Sequence, residues 1–401
     1  MICPRPLFVH VEGKMSYSLS IFSNLRNKYP TWQDFRAYLE SDEGGKLRVT
    51  ELDTYAIIRY VKGVSALSDE NKPWVPWFRS VIWSPNTHLP VCIAPRKAFS
   101  SEVPSDSSLE VQEFLEGVMV NAFVDGSDLH WSTRSSIGAN TGFYGKKSFA
   151  QMIQDALQER GCSKEELVRI LNESGMTFAS FVLQHSEHRV VQRIQKPCLT
   201  LIHLGKVDAS GNVEISVNFP EVFQSWMVKS YPPLQPGEAP ATRLDSMAQA
   251  ADPYWQGLVF RGSNGERWRL RTLSYKILRE IRGKESAIED RFTRLRLQNM
   301  IRLYTQNWPE ETQSFVDLET RVRELTAEIY KEYCAHHKEK SKSFMDIPVA
   351  YRTPVYELHG IYLNSLRPKK VTLKMPIVIH YVNTMNPEKL GELLRRTKPT
   401  V

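Results

Sequence analysis

The sequence predicts an α+β chain: a β-rich body of antiparallel sheets with flanking helices, followed by a mostly α-helical C-terminal region. Three observations point there. Short β-branched and aromatic runs, broken by turn residues, recur between about residues 52 and 271, as antiparallel hairpins require. Ser148–Glu159 and Ser163–Glu173 carry helical spacing between those runs. From about Tyr275 to His337 the pattern turns helical and charged. There is no βαβ alternation, no Gly-x-Gly-x-x-Gly loop and no Gly-x-x-x-x-Gly-Lys-[Ser/Thr] loop, which argues against a kinase or a P-loop ATPase.

The elements follow in order. Residues 16–40 suggest one or two short helices, with Pro30-Thr31 as a restart. Residues 52–62 read as a strand, and 77–95 as two strands around Ser84-Pro85-Asn86. Residues 100–108 form a polar loop. Val118–Val124 and Leu129–Arg134 pair through Asp125-Gly126-Ser127. Ser163, with Glu166 three residues on, caps a helix. Strands are expected at Thr177–Leu183, Arg189–Ile194, Cys198–Val207 and Val213–Val217. Residues 231–252, rich in proline, read as a loop or connector, and 257–271 as a hairpin through Gly262-Ser263-Asn264-Gly265. A strand-like run returns at 372–382. The domain expectation is a helical extension over 1–50, a body over 51–284 and a helical domain over 285–401.

Composition narrows the function class. With 401 residues, 41% hydrophobic and 24% charged, the chain is an ordinary globular one, neither disordered nor collagenous. No apolar stretch approaches a bilayer span, so no membrane partner is expected. Met1–Val11 does not read as a signal peptide. The five cysteines are scattered, with no Cys-x-x-Cys, so a reducing, cytoplasmic setting fits better than a disulfide framework. Lys and Arg exceed Asp and Glu by 52 − 45 = 7, with a pI near 9.0, which suits a polyanionic partner.

Four segments carry the chemistry. The first runs from Phe78-Arg79-Ser80 to Pro95-Arg96-Lys97-Ala98-Phe99, two strands with basic ends. The second begins at Phe114-Leu115-Glu116-Gly117, and its partner strand brings back Arg134 with Ser135 and Ser136, groups suited to phosphate because a guanidinium fork matches its oxygens. The third, Phe181 to Val191, includes His185, His188 and Arg189 around a polar turn. The two histidines read as turn residues, because zinc needs at least three protein ligands. The fourth is Gln256-Gly257-Leu258-Val259 followed by Arg267-Trp268-Arg269-Leu270-Arg271. Period-two alternation puts Arg267, Arg269 and Arg271 on one face, where they repel unless an anion or carboxylates lie between them. Each segment also has a plain structural counterpart, a hairpin with a polar or basic end.

In this order the four segments resemble the nucleotidyltransferase (adenylation) domain of ATP-dependent RNA ligases, the phage tRNA-repair type and more closely a group met in large DNA viruses. The resemblance spans about residues 55–283. Its Lys-x-Asp-Gly nucleophile motif falls on Phe114 to Gly117, its Glu-Gly-Val-Val motif on Gln256 to Val259, and its Lys-x-Lys motif on Arg269 to Arg271. Arg79, Lys97 and Arg134 stand at further basic positions of the pattern. The resemblance implies binding of ATP with Mg²⁺ and of RNA ends, tRNA among them, and transfer of AMP through a lysine. The departures fall on the reactive groups: Phe114 replaces the lysine and Gln256 the glutamate, the third-motif carboxylate is missing near Val182, and arginines replace the last lysine pair. The resulting expectation is a nucleotide- and RNA-binding protein with impaired catalysis. The residues expected at nucleotide or phosphate are Arg79, Lys97, Glu116, Gly117, Arg134, Arg189, Gln256, Arg267, Arg269 and Arg271. One alternative is an active ligase with a displaced nucleophile, Lys97 or Lys62 (in Lys62-Gly63-Val64-Ser65). The other is a scaffold protein reusing the fold. Basic helices between 276 and 343 suit either a nucleic-acid face or a solvated one.

Overall fold

The computed structural model describes residues 16–100, 102–144, 147–217 and 219–397; the reading of Met1–Val11 lies outside them. The chain divides into two compact units, Met1–Lys276 and Ile277–Val401. The strands are β1 (Ser16–Leu19), β2 (Leu47–Glu51), β3 (Ala56–Tyr60), β4 (Val81–Ser84), β5 (Leu89–Ile93), β6 (Glu110–Glu113), β7 (Val118–Asp125), β8 (Asp128–Ser132), β9 (Phe178–Gln184), β10 (Cys198–Val207), β11 (Val213–Ser216), β12 (Ser230–Tyr231), β13 (Gly257–Arg261) and β14 (Arg267–Arg271). The helices are α1 (Ile21–Lys28), α2 (Trp32–Glu40), α3 (Phe149–Arg160), α4 (Lys164–Glu173), α5 (Pro240–Ala250), α6 (Leu273–Arg282), α7 (Ile288–Leu297), α8 (Ile301–Asn307), α9 (Thr312–Tyr333), α10 (Val349–Ile361), α11 (Met375–Asn383) and α12 (Pro387–Arg396).

The first unit is built from three antiparallel sheets, ordered β1-β11-β10-β9-β7-β8, β12-β6-β13-β14 and β2-β3-β4-β5. The six-stranded sheet is covered on both sides, so β9 reads as a continuous apolar run rather than an alternation. One side packs Phe181, Leu183, Leu199 and Leu201 under Met152, Ile153 and Leu157 of α3 and Leu167 and Leu171 of α4. From the other side, Phe178 and Phe123 join Trp83, Ile82 and Phe35. Both covering helices start as expected: Ser148 and Gln151 form a capping box, and the Ser163 side chain accepts from the Glu166 N–H.

The second unit is helical. Along α9, Phe315, Leu318, Val322, Leu325 and Ile329 repeat every three or four residues and are buried. Several of its basic residues are paired within the unit. Arg282 and Arg291, 3% and 2% exposed, both reach the Glu311 carboxylate, at 2.7 and 3.0 Å. Arg294 pairs with Glu285 at 2.6 Å, and Arg296 with Glu319 at 2.9 Å. A charge run that reads as a solvated or nucleic-acid face is here partly an internal network.

Three expected elements are different. Arg189–Ile194 is not a strand, because its N–H groups go to a side-chain carboxylate instead of a neighbouring strand. The proline-rich connector contains α5, begun by Pro240, which costs nothing in a first turn where its N–H would be unpaired. The run 372–382 forms α11, with Pro376 in its first turn and Val378 and Val382 buried four residues apart. Its β-branched composition signals a strand, whereas the four-residue spacing of Val378 and Val382 signals the helix.

The β13–β14 hairpin depends on Gly257. Its φ is +134°, and a Cβ there would lie 2.2 Å from the Leu270 carbonyl oxygen. Gly257→Ala is expected to lose about 2–3 kcal/mol in urea unfolding, through strain and a displaced β14. A loss under about 0.5 kcal/mol would contradict this.

Candidate functional site

Ladder register decides which side chains share a face. Leu258 and Phe260 of β13 pack with Leu244 of α5. Their alternates therefore point to the opposite side: Gly257 opposite Arg271, Val259 opposite Arg269 and Gln112, Arg261 opposite Arg267 and Glu110. The expected single face for Arg267, Arg269 and Arg271 follows from this register, and Arg261 joins it.

Chain segments far apart in sequence add to that face. Phe99 bridges β14 in parallel: its N–H donates to the Arg267 carbonyl and its carbonyl accepts from the Arg269 N–H, both at 2.9 Å. This brings in Lys97, whose ammonium lies 5.5 Å from the Phe99 ring centre and 5.8 Å from that of Tyr60. Arg134 stacks on Tyr60 at 4.4 Å and donates to the Tyr60 carbonyl at 2.7 Å. The Ser80 hydroxyl donates to the Thr133 carbonyl at 3.3 Å, which holds the Arg79 and Arg134 segments together. The Phe114 ring faces Arg271 at 5.0 Å and Arg269 at 5.8 Å.

The electrostatics are those of crowded cations. Arg267 is 9% exposed, and burial, with Arg261 and Arg79 nearby, pushes its pKa down to about 9. Its Nε and Nη1 have no hydrogen-bond partner among the described residues. Burial, then Arg134 and Arg269, lower Arg79, which Tyr60 partly offsets. Lys97 is lowered by burial, then by Arg269, Lys62 and Arg134. The Glu110 carboxylate lies 3.8 Å from Arg261 and is felt by Arg267. The buried His203 shares this field. Burial first, then Arg261, hold it near 3, while its Nε2–H reaches the Ile93 carbonyl at 3.0 Å.

The remaining expected residues divide. Glu116 is buried, and its carboxylate accepts from the N–H groups of Val190, Val191 and Gln192 at 2.9–3.2 Å and from the Tyr275 hydroxyl at 2.7 Å. It is thereby a clasp that closes the 185–192 turn. Gly117 lets β9 approach: a Cβ there would sit 2.4 Å from the Leu183 carbonyl oxygen. Arg189 folds back on the Val191 carbonyl at 3.2 Å. Gln256 is buried beside β13, its Oε1 without a partner among the described residues. Lys62 is exposed and reaches the group only through its charge on Lys97. His185 donates to Asp155 at 3.1 Å, and the His188 ring packs on Phe149 at 5.2 Å, both structural roles.

Sequence reasoning missed Arg261, Tyr60 and the Phe99 bridge. Arg261 was within reach, since the Gly262–Glu266 turn sets it opposite Arg267. The other two depend on long-range placement. Two positions where the resemblance implies metal-binding carboxylates are otherwise occupied: Glu116 is committed to N–H donors, and position 256 is an amide.

No protein-family model matches the sequence, and no curated protein matches it. Among solved structures the chain is similar to a putative ATP-dependent DNA ligase from Aquifex aeolicus, 10% identical with a TM-score of 0.40, over 82% of this chain and 80% of that one. It is also similar to an archaeal ATP-dependent RNA ligase (form 2), 12% identical with a TM-score of 0.38, over 77% and 82%. A Naegleria gruberi RNA ligase with PPi is 12% identical with a TM-score of 0.31, over 44% of this chain and 53% of that one. At such scores these likenesses carry no functional argument.

Two outcomes test this geometry. Glu116→Gln puts an NH₂ group against backbone donors and is expected to cost about 2–3 kcal/mol, with faster amide exchange at 190–192. Unchanged stability would contradict the clasp. Below about pH 6.5 the unfolded chain takes up a proton that His203 refuses down to about 3. Stability then falls with decreasing pH, by about 1.4 kcal/mol per unit at most from this group. His203→Asn should remove that part of the slope in urea unfolding at pH 7 and pH 4.5.

Proposed function

We propose that the first unit is a nucleotidyltransferase-type domain whose cationic face grips the phosphates of a nucleotide and the phosphate end of an RNA. One observation carries the reading. Arg267 is buried between Arg79 and Arg261, with two guanidinium nitrogens unpartnered among the described residues. A buried cation with unpartnered donors is costly, and a phosphate oxygen is the kind of acceptor that would relieve that cost. Lys97, Arg134 and Arg269 extend the face as a track for further phosphates. ATP is the nucleotide that the sequence resemblance implies.

In this reading the protein binds without forming a covalent adenylate. Phe114 stands where the resemblance puts the nucleophilic lysine, and a phenyl ring cannot attack phosphorus. It lies against Arg269 and Arg271 and can still present an apolar wall to a base.

One observation favours a second reading, adenylyl transfer from a displaced lysine. Lys97 sits among cations that lower its pKa, the property an amine nucleophile needs. Its Nζ would attack the α-phosphorus of ATP, form an N–P bond and expel pyrophosphate, the ammonium proton having gone to water.

Incubation with α-labelled ATP and Mg²⁺, followed by a denaturing gel, separates the two. The binding reading expects no labelled protein, together with 5′-phosphorylated RNA affinity that falls steeply with salt and drops about tenfold or more in Arg269→Ala. A labelled band that disappears in Lys97→Ala would establish transfer instead. No RNA or ATP affinity at low salt would overturn both.

A further inference from the structure

The far side of the β12-β6-β13-β14 sheet carries a cavity. Glu113 pairs with Leu258, so it points to the α5 side, away from Arg269 and Arg271. There an open cavity of about 520 Å³ is lined by Glu113, Arg193, Lys229, Tyr231, Tyr254 and Trp255. The volume is that of a small-molecule pocket. Arg193 stacks on Tyr254 at 4.8 Å and donates to its hydroxyl at 3.1 Å, and the Lys229 ammonium lies 5.0 Å from the Tyr231 ring centre. Asp252, also on the lining, accepts the Tyr254 N–H at 2.8 Å, which fixes the Tyr254 end of the wall.

We infer that this cavity is a binding site for one unpaired guanine nucleotide, separate from the cationic face. Aromatic walls accept the flat side of any base, and the flanking cations accept its phosphate. The carboxylate selects among bases. Glu113 only accepts hydrogen bonds, and guanine alone presents two adjacent donors, N1–H and N2–H, on its pairing edge. Adenine and cytosine offer one donor next to an acceptor, which a carboxylate repels. Burial raises the Glu113 carboxyl above the usual carboxylate range, with Lys229 and Trp255 opposing, so donors from a ligand would add to a charge the protein only partly supports. The inference does not rest on the proposed function of the other face.

The test is equilibrium binding of GMP, AMP, CMP, UMP and guanosine to the full chain, and of a short single-stranded oligouridylate bearing one guanine. GMP should bind about tenfold or more tighter than AMP, as a bidentate base contact allows. Glu113→Gln should erase that preference. Arg193→Ala, at an exposed position, should weaken GMP and leave guanosine unchanged. The preference for GMP over AMP should persist in Arg269→Ala, because that face grips phosphate, which the two nucleotides share. Binding of the guanine-bearing strand that GMP displaces assigns the same pocket to RNA, whereas strand binding that GMP does not displace counts against it. Equal affinity for GMP and AMP, or a preference for GMP that survives Glu113→Gln, would overturn the inference.

Discussion

The buried Arg267 guanidinium, with two of its donors unpartnered among the described residues and other cations close by, is the constraint on which the first unit turns. Arg261, Arg267, Arg269 and Arg271 project from one face of a single hairpin, and Arg79, Arg134 and Lys97 are brought against them from other strands. Glu110 offsets one of these charges. The fold must be stable enough elsewhere to hold such a face, and the layered apolar cores around the six-stranded sheet supply that stability.

The contrast with the second unit is instructive. Its buried guanidiniums, Arg282 and Arg291, share Glu311, so burial there is compensated within the chain. Arg267 has no equivalent acceptor for its Nε and Nη1 among the described residues. The same residue type at similar burial is therefore compensated within the chain in one unit and left with unpartnered donors among the described residues in the other.

Much of this was legible in the sequence, for definite reasons. Period-two alternation in Arg267-Trp268-Arg269-Leu270-Arg271 sorts charge from apolar side chains, so the cationic face could be read directly. Capping residues at Ser148 and Ser163 marked two helices. What escaped reading depends on partners distant in the chain. Glu116 resembles a surviving catalytic acid in its motif, yet its oxygens are taken by the N–H groups of residues 190–192, about seventy-five positions away. That clasp also explains why 189–194 is not a strand. In 372–382 the β-branched composition signalled a strand, while the spacing of Val378 and Val382 signalled the helix that forms.

The most direct measurement is thermal unfolding of the full chain against increasing tripolyphosphate, an anion that offers phosphate oxygens without base or sugar. If the buried guanidiniums lack a counterion, the melting temperature should climb with concentration, by about 2.7 kcal/mol of stabilisation at a hundred times the dissociation constant. Arg267→Met should melt higher than the native chain without the anion and respond far less to it. A native chain whose melting temperature does not move with tripolyphosphate, beside an Arg267→Met variant that melts lower, would contradict the account.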